Sequence, residues 1–553
     1  MTKIISRLIG GAGTGKTTEL MNIMARLLES TVRDPLQIGF CSFTRAARSE
    51  AVTRAAAQFG LAPDLLEREG WFKTLHSVCY RCLGVDSTQL LSGNKKSNEW
   101  LTEALQERVE TTAELGGDVT ELAFSADSNA SRALNCWSAA RNRLAPLETV
   151  WREAQRCDER MPSLEYCREL VERYEMHKRL DKRLDFVDLL GQFVGLKFTV
   201  DGPVESLSGP RGDVPGIPVW FFDEQQDTSL LLDKVCHRLI ENPSVRAVYV
   251  VGDPFQSIFA WAGADSRCFM AWPADRERIM PKSYRCPAPV LALGEQTLKR
   301  CSNYFDRGIA PADHEGSINT EWTLSYLDGL SPLDDTLVIA RTNHQANRLA
   351  HRLESAGIPW VPTRGRGGWA APVRNQGLGG LYAIEKRGPV SGQEWVQILK
   401  LLPSKSDDGQ ELLTRGTKSR FAEPDEASKY PWVLPHELEQ LGATPALVEL
   451  VTSGRWRHTI KDAARTCAAL DRWGTEVLTS PKIRVGTIHS VKGQEAEKVV
   501  LLTTTSGAVK RQEETSDGFD EERRVEYVAQ TRARRELVLL REGSATNFME
   551  CGI

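Results

Sequence analysis

Nowhere does the chain carry the roughly 20 consecutive apolar residues that a bilayer-spanning helix requires, which excludes an integral helical membrane protein. Nothing at the start resembles a signal peptide, because the first residues already read as a buried strand. The twelve cysteines form no framework: Cys79-x-x-Cys82 is the one close pair, and no second pair stands at zinc-site spacing. That pattern excludes a disulfide scaffold and fits reduced thiols in a cytoplasmic protein. Charge of neither sign dominates, with 70 basic against 74 acidic side chains, so any nucleic-acid binding must rest on a local groove. Internal repeats and low-complexity tracts are also missing, and 553 residues therefore predict several globular domains.

What is present is concentrated near the start, in Gly10-Gly11-Ala12-Gly13-Thr14-Gly15-Lys16-Thr17-Thr18. The apolar run Ile4–Ile9 precedes it, and Leu20, Ile23, Met24, Leu27 and Leu28 follow at helical spacing. Strand, glycine loop and helix is the context of a phosphate-binding loop. Glycines let backbone N–H groups turn toward a polyphosphate, and the helix N-terminus adds partial positive charge. Lys16 is placed to reach the β- and γ-phosphates of a nucleoside triphosphate, and the Thr17 hydroxyl to ligate Mg²⁺.

A second apolar run, Val219–Phe222, delivers Asp223 and Glu224 at its end. Asp223 suits a Mg²⁺ ligand and Glu224 a group that polarises the attacking water. A third, Val248–Val251, ends in Gly252-Asp253-Pro254-Phe255-Gln256, where Gln256 is placed to sense a γ-phosphate. Phe259 and Trp261 follow it, setting aromatics beside a triphosphate-dependent switch.

These elements, taken with others in chain order, resemble the UvrD/Rep/PcrA branch of superfamily 1 helicases. Ser42-Phe43-Thr44-Arg45-Ala46-Ala47 and Thr74-Leu75-His76-Ser77 resemble the early DNA-contacting motifs, and Asp185-Phe186 a short element upstream of the carboxylate strand. Asp223-Glu224-Gln225-Gln226-Asp227 is similar to the D-E-x-Q-D box, and Gly252-Asp253 with Gln256-Ser257-Ile258 to the third motif. Ser283-Tyr284-Arg285 and Ala340-Arg341-Thr342-Asn343 resemble the next two. Val485–Glu495 and Glu521–Ala533 are similar to the fifth and sixth in near-complete form.

The resemblance implies that Arg285 and Arg532 face Lys16 across a cleft and that Glu495 lies near the ribose or γ-phosphate. Tyr284 would stack on the base. Phe43, Phe259 and Trp261 are implied as stacking platforms for a single strand, and Thr44, Arg45, Thr74, His76, Arg341, Thr342, Asn343 and His489 as backbone contacts. Arg523, Arg524 and Arg534 read as solvated helix charges.

The implied fold is α/β: two RecA-like P-loop domains with parallel sheets, each carrying an inserted, mainly helical subdomain. The motifs place the first domain at residues 1–90 and 196–278, with an insertion at 91–195. The second falls at 279–375 and 478–553, with a short insertion at 376–477. Within the latter, the polar run Ser404–Arg420 reads as a mobile loop.

Two departures from the family pattern stand out. No glutamine precedes Gly10 to read adenine, and Trp261-Ala262-Gly263-Ala264 lacks the arginine usual after the tryptophan. The expected activity is an ATP- and Mg²⁺-dependent single-stranded DNA translocase or helicase, moving 3′ to 5′. The alternative is a DNA-stimulated ATPase subunit of a larger repair or anti-phage nuclease complex, with a nuclease or a repair or replication protein as partner.

Overall fold

The computed structural model describes residues 3–542 except 31, 33, 43–44, 110, 112–123, 125–127, 365–368, 370–371, 407, 424 and 461–462. Three early strands, β1 (Ile4–Ile9), β2 (Ile38–Ser42) and β3 (Trp71–Thr74), precede a small antiparallel hairpin of β4 (Leu196–Thr199) and β5 (Gly202–Glu205). Next come β6 (Val219–Asp223), β7 (Ala247–Gly252) and β8 (Arg276–Ile279). The second half of the chain supplies β9 (Ser317–Glu321), β10 (Thr336–Ala340), β11 (Val361–Pro362), β12 (Ile483–Thr487), β13 (Ala496–Leu502) and β14 (Ala533–Leu540).

They form two six-stranded sheets, in the orders β3-β2-β6-β7-β1-β8 and β11-β12-β10-β13-β14-β9, and every pairing within them is parallel. Parallel strands need crossovers and bury both faces, which is why their sequences read as continuous apolar runs. Trp220, Phe221 and Phe222 in β6 are all essentially inaccessible. Each such side chain contributes about 1.5–3 kcal/mol by leaving water. Gly39 in β2 lies flat against Trp220, whose ring a Cβ there would meet at 2.3 Å, so only glycine fits beneath that ring.

Strand order sets the position of the site. β6, β7 and β1 are neighbours, so the loops at their carboxyl ends stand side by side, where ligands bind in open parallel sheets. Leu20, Ile23 and Met24 bury the helix Lys16–Ser30 against this sheet, as their spacing predicts.

Each sheet carries a helical insertion. The first comprises Lys95–Leu105, Asn129–Asn142, Leu147–Cys157, Leu164–Leu180 and Phe186–Val194, around Leu101, Leu134, Trp137, Leu170 and Tyr174. Beside that core Arg141 bonds Asp185 at 2.8 Å and Lys178 bonds Asp188 at 2.7 Å. Glu175, Asp185 and Asp188 cluster closely enough to suit a metal, but Arg141 and Lys178 already pair with all three. Asp185 also caps the helix Phe186–Val194.

The second insertion has its own core of Leu381, Trp395, Ile398, Leu441 and Trp456. Ser404–Arg420 departs from the mobile loop expected of it. Leu412 and Leu413 are buried in that core, and Leu413 bridges Ala443. The apolar pair anchors a segment whose other residues are polar.

Candidate nucleotide and nucleic-acid site

The phosphate loop runs from the end of β1 into the helix that begins at Lys16. Gly13 and Gly15 adopt φ of +69° and +77°, which L side chains resist, and this conformation lets the loop turn back on itself. Lys16 Nζ donates to the Gly10 carbonyl at 3.1 Å, inside the loop that it would use to grip a phosphate. Thr17 Oγ1 lies 3.5 Å from Asp223 Oδ2, while the Thr18 hydroxyl is turned out to accept from Arg54 at 3.1 Å.

Asp223 ends β6 and is buried. Burial and the adjacent Glu224 push its carboxyl up to about 7. Glu224 takes the left-handed conformation at φ +53°, a strained geometry for a residue with a Cβ. Burial favours its neutral form, but Lys16, Lys492 and the Gln226 amide outweigh this and hold it below its ordinary value. Among the described residues no lysine or arginine pairs with Asp223 at ion-pair distance. A hydroxyl and a buried carboxylate without a partner cation are hard oxygen donors that fit Mg²⁺. Gln256, in the helical turn Pro254–Gln256 that follows β7, donates to Asp253 Oδ2 at 2.8 Å.

The second half of the chain closes over this loop. Tyr284 donates its N–H to the Gly13 carbonyl at 2.8 Å, and the Ser283 hydroxyl donates to Ala12 O at 2.8 Å. The Tyr284 ring is 68% exposed and its edge lies 3.8 Å from the Cβ position of Gly15, a free face beside the loop. Arg285 pairs with Glu495, which Arg534 also approaches at 3.5 Å.

Arg532 is buried. Its Nε donates to Val528 O at 2.9 Å and its Nη1 to Gln494 O at 3.2 Å, while the buried Nη2 has no acceptor. Burial and the nearby Arg285 lower it to about 10, so it stays charged at neutral pH in want of an anion. Lys16, Asp223, Glu224 and Gln256 from the first sheet thus meet Tyr284, Arg285, Glu495 and Arg532 from the second half.

Sequence reasoning missed the deeper contacts. Tyr527 Oη accepts the Ala12 N–H at 3.1 Å, and Lys492 bonds both Asp227 and the Gln256 carbonyl. Both residues stand inside the fifth and sixth motifs, but nothing in their spacing names a partner hundreds of positions away. Arg523 and Arg524 are not the solvated charges expected of them. Arg523 pairs with Glu526 at 3.1 Å and with Glu513, and Arg524 Nε donates to Ser257 O at 3.0 Å across the cleft. Arg534 is half-exposed but stands on β14 rather than on a helix, and it pairs with Glu495 at 3.5 Å and Glu497 at 3.4 Å.

The nucleic-acid candidates fall into three groups. Phe43 and Thr44 lie outside the described residues, and Arg45 opens the helix Arg45–Phe59 with its side chain undescribed. Thr74 and His76 sit below the surface, Thr74 capping the helix Leu75–Leu83 and His76 meeting the edge of Phe186 at 6.0 Å. The third group is drawn together at the cleft: Phe259, Trp261, Arg341, Thr342, Asn343 and His489.

Within that group Trp261 is 59% exposed, whereas Phe259 is 4% exposed and packs edge-on beneath it at 6.3 Å. Trp261 is therefore the free platform and Phe259 its support. Lys492 lies 5.1 Å over Phe259, and His489 bonds Ile258 O at 3.0 Å. Burial, reinforced by Arg341, lowers His489 to about 3, so the ring is neutral at physiological pH. Arg341 forks onto Glu522 at 2.7 and 3.0 Å, Thr342 caps the helix Asn343–Ser355, and Asn343 is exposed.

A glycine loop after β1, carboxylates at the end of β6 two strands away in the same parallel sheet, and arginines from the half of the chain that builds a second parallel sheet define a P-loop protein of two RecA-like lobes. Residues 4–276 match the UvrD/REP helicase N-terminal domain and residues 464–542 the UvrD-like helicase C-terminal domain, and the chain belongs to the UvrD-like helicase family. It is 23% identical to YjcD of Bacillus subtilis, over 96% of this chain and 76% of that protein. It is 26% identical to the ATP-dependent DNA helicase PcrA of the same organism, over 62% of this chain and 43% of PcrA. The match to PcrA of Staphylococcus epidermidis is 23% identical and also spans about half of the relative, 49%. Among the described residues no helix is long and apolar enough to cross a membrane.

Proposed function

We propose that the chain is an ATP-dependent single-stranded DNA translocase of the helicase class. It hydrolyses ATP between its lobes and moves 3′ to 5′. The observation that carries this reading is the buried Arg532 Nη2, which has no acceptor on a guanidinium that feels the charge of Glu224 from the other lobe. In this reading Thr17 and Asp223 would hold Mg²⁺, which would neutralise phosphate charge when bound. Glu224 orients the attacking water, Gln256 senses the γ-phosphate, and the two arginines stabilise charge developing on its oxygens. Because the arginines belong to the opposite lobe, the site is complete only when the cleft is shut, and closure is thereby tied to hydrolysis. Tyr284 stacks on the base and Glu495 positions Arg285. Direction rests on the family resemblance, and the domain bounds given above are proposed with it.

Single-strand binding pairs cations with aromatic platforms, and the exposed Trp261 between the lobes supports that role. Trp261→Ala is expected to raise the single-strand concentration for half-maximal ATPase stimulation about 5- to 150-fold, from the loss of one stack of ~1–3 kcal/mol. Basal turnover should change little. An unchanged half-maximal concentration would remove Trp261 from the track.

The reading as a whole is tested by ATP turnover with and without single strands, and by displacement of streptavidin from 3′- or 5′-biotinylated strands. Stimulation and 5′-end displacement are expected. Turnover indifferent to single strands refutes the proposal.

A second reading, a DNA-stimulated ATPase subunit with a protein partner, draws on the short second insertion, where Trp432 and Leu434 are exposed on one loop. Weak unwinding of a 3′-tailed duplex by the isolated chain is expected under it. Processive unwinding of a long duplex by the purified monomer excludes it.

A further inference from the structure

Arg307 belongs to none of the motifs and lies in the irregular segment between the helix Ala288–Leu298 and β9. Its side chain is wholly buried, and so is the carboxylate that it meets, Nη1 donating to Asp253 Oδ1 at 2.7 Å. Its Nη2 pairs with Glu295 and reaches Tyr527 Oη at 3.4 Å. The guanidinium stacks 4.8 Å from the Phe255 ring and 5.3 Å from that of Tyr527.

Asp253 stands on the first lobe, at the end of β7, and holds two other groups. Its Oδ2 accepts from the Gln256 amide at 2.8 Å, and its N–H donates to Gln226 Oε1 at 3.0 Å. Gln226 in turn bonds Glu224. On the other side Tyr527 receives the N–H of Ala12 at 3.1 Å. One guanidinium from the second lobe thus links the phosphate loop, the Gln256 sensor and, through Gln226, the water-orienting carboxylate.

We infer that Arg307 is a positioning residue that clamps the cleft shut by neutralising Asp253, and so sets Gln256 and the phosphate loop in register with the second lobe. The kinetic part of this inference rests on the ATPase reading above. In the closed form, removing Arg307 leaves a buried carboxylate with no countercharge. In an open form water would solvate Asp253, so the loss falls on the closed state alone.

The test compares Arg307→Met and Arg307→Lys with the wild-type chain, by single-strand-stimulated ATP turnover and by small-angle scattering without nucleotide. Methionine keeps most of the bulk and drops the charge. It is expected to lower kcat about 10-fold or more, to change KM for ATP less than about 3-fold, and to enlarge the radius of gyration. Lysine keeps the charge and should restore compaction and most of kcat.

A purely structural role would lower the melting temperature of Arg307→Met while leaving kcat and compaction of the folded protein as in the wild type, and that result overturns the clamp. Should Arg307→Met fail to fold, Tyr527→Phe removes only the hydroxyl. It is expected to lower kcat about 3-fold or more in the folded protein, and unaltered kcat there overturns the inference. The scattering arm needs no turnover: a wild type that hydrolyses no ATP, beside an Arg307→Met form that opens, refutes the activity and leaves the clamp standing.

Discussion

Replacing Glu224 by glutamine is expected to leave nucleotide binding intact and to lower ATP turnover about 10²- to 10⁴-fold, the range of a positioned general base. The surroundings of Glu224 explain why the loss falls on chemistry. Lys16 and Lys492 keep the carboxylate charged, Gln226 fixes its orientation, and the left-handed backbone aims it off the end of β6. Glutamine retains an oxygen for Gln226 and nearly the same volume, so the local packing survives while the charge that polarises water is lost. Lys16→Ala is expected to abolish turnover altogether, because it removes both a positive charge and a phosphate donor from the phosphate loop. Phosphate release measures the first quantity and titration with a fluorescent nucleotide the second. Near-wild-type turnover by Glu224→Gln would remove Glu224 from its assigned role.

The features legible in the sequence were those written in contiguous residues. β1, the glycine loop and the following helix are one unbroken stretch, and β6 and β7 announce themselves as apolar runs ending in polar loops. Such patterns report local burial directly, whereas the pair of parallel sheets was implied by the family resemblance. The remainder was hidden because burial across an interface has no local period. The helix Ser516–Gln530 reads as an exposed charged helix, yet Glu521, Glu522, Arg523, Arg524 and Glu526 are all buried. Their charges are met from other elements: Glu522 by Arg341, and Arg523 partly by Glu513. Arg524 is met by the Ser257 carbonyl. Arg307 is the extreme case, for its partner Asp253 precedes it by 54 residues and lies on the other lobe. Phe259 and Trp261 differ for a related reason. Two residues apart, they look equivalent in sequence, but one packs under His489 from the second lobe while the other stays in solvent.

Arg532→Ala and Arg285→Ala are each expected to lower kcat at least ~10²-fold while changing ATP affinity far less. The two arginines reach this outcome by different routes. Arg532 is held by two backbone carbonyls of its own lobe with Nη2 left open, so its orientation is set before any nucleotide arrives. A donor fixed in advance, in a site that excludes water, stabilises charge that grows in the transition state without reorganising. Arg285 is instead occupied by Glu495, and must share or exchange that partner to serve a γ-phosphate oxygen. Arg285→Ala therefore removes a charge and also leaves Glu495 to Arg534 alone. Lysine at 532 tests the geometry separately from the charge. It keeps the cation but loses the planar fork that holds both carbonyls, and it should recover only part of kcat. The measurement is kcat and KM under saturating single strands, with nucleotide affinity from direct titration. A large loss of affinity at normal kcat would show that these arginines bind the ground state, and the cleft would then be a binding site whose closure does no catalytic work.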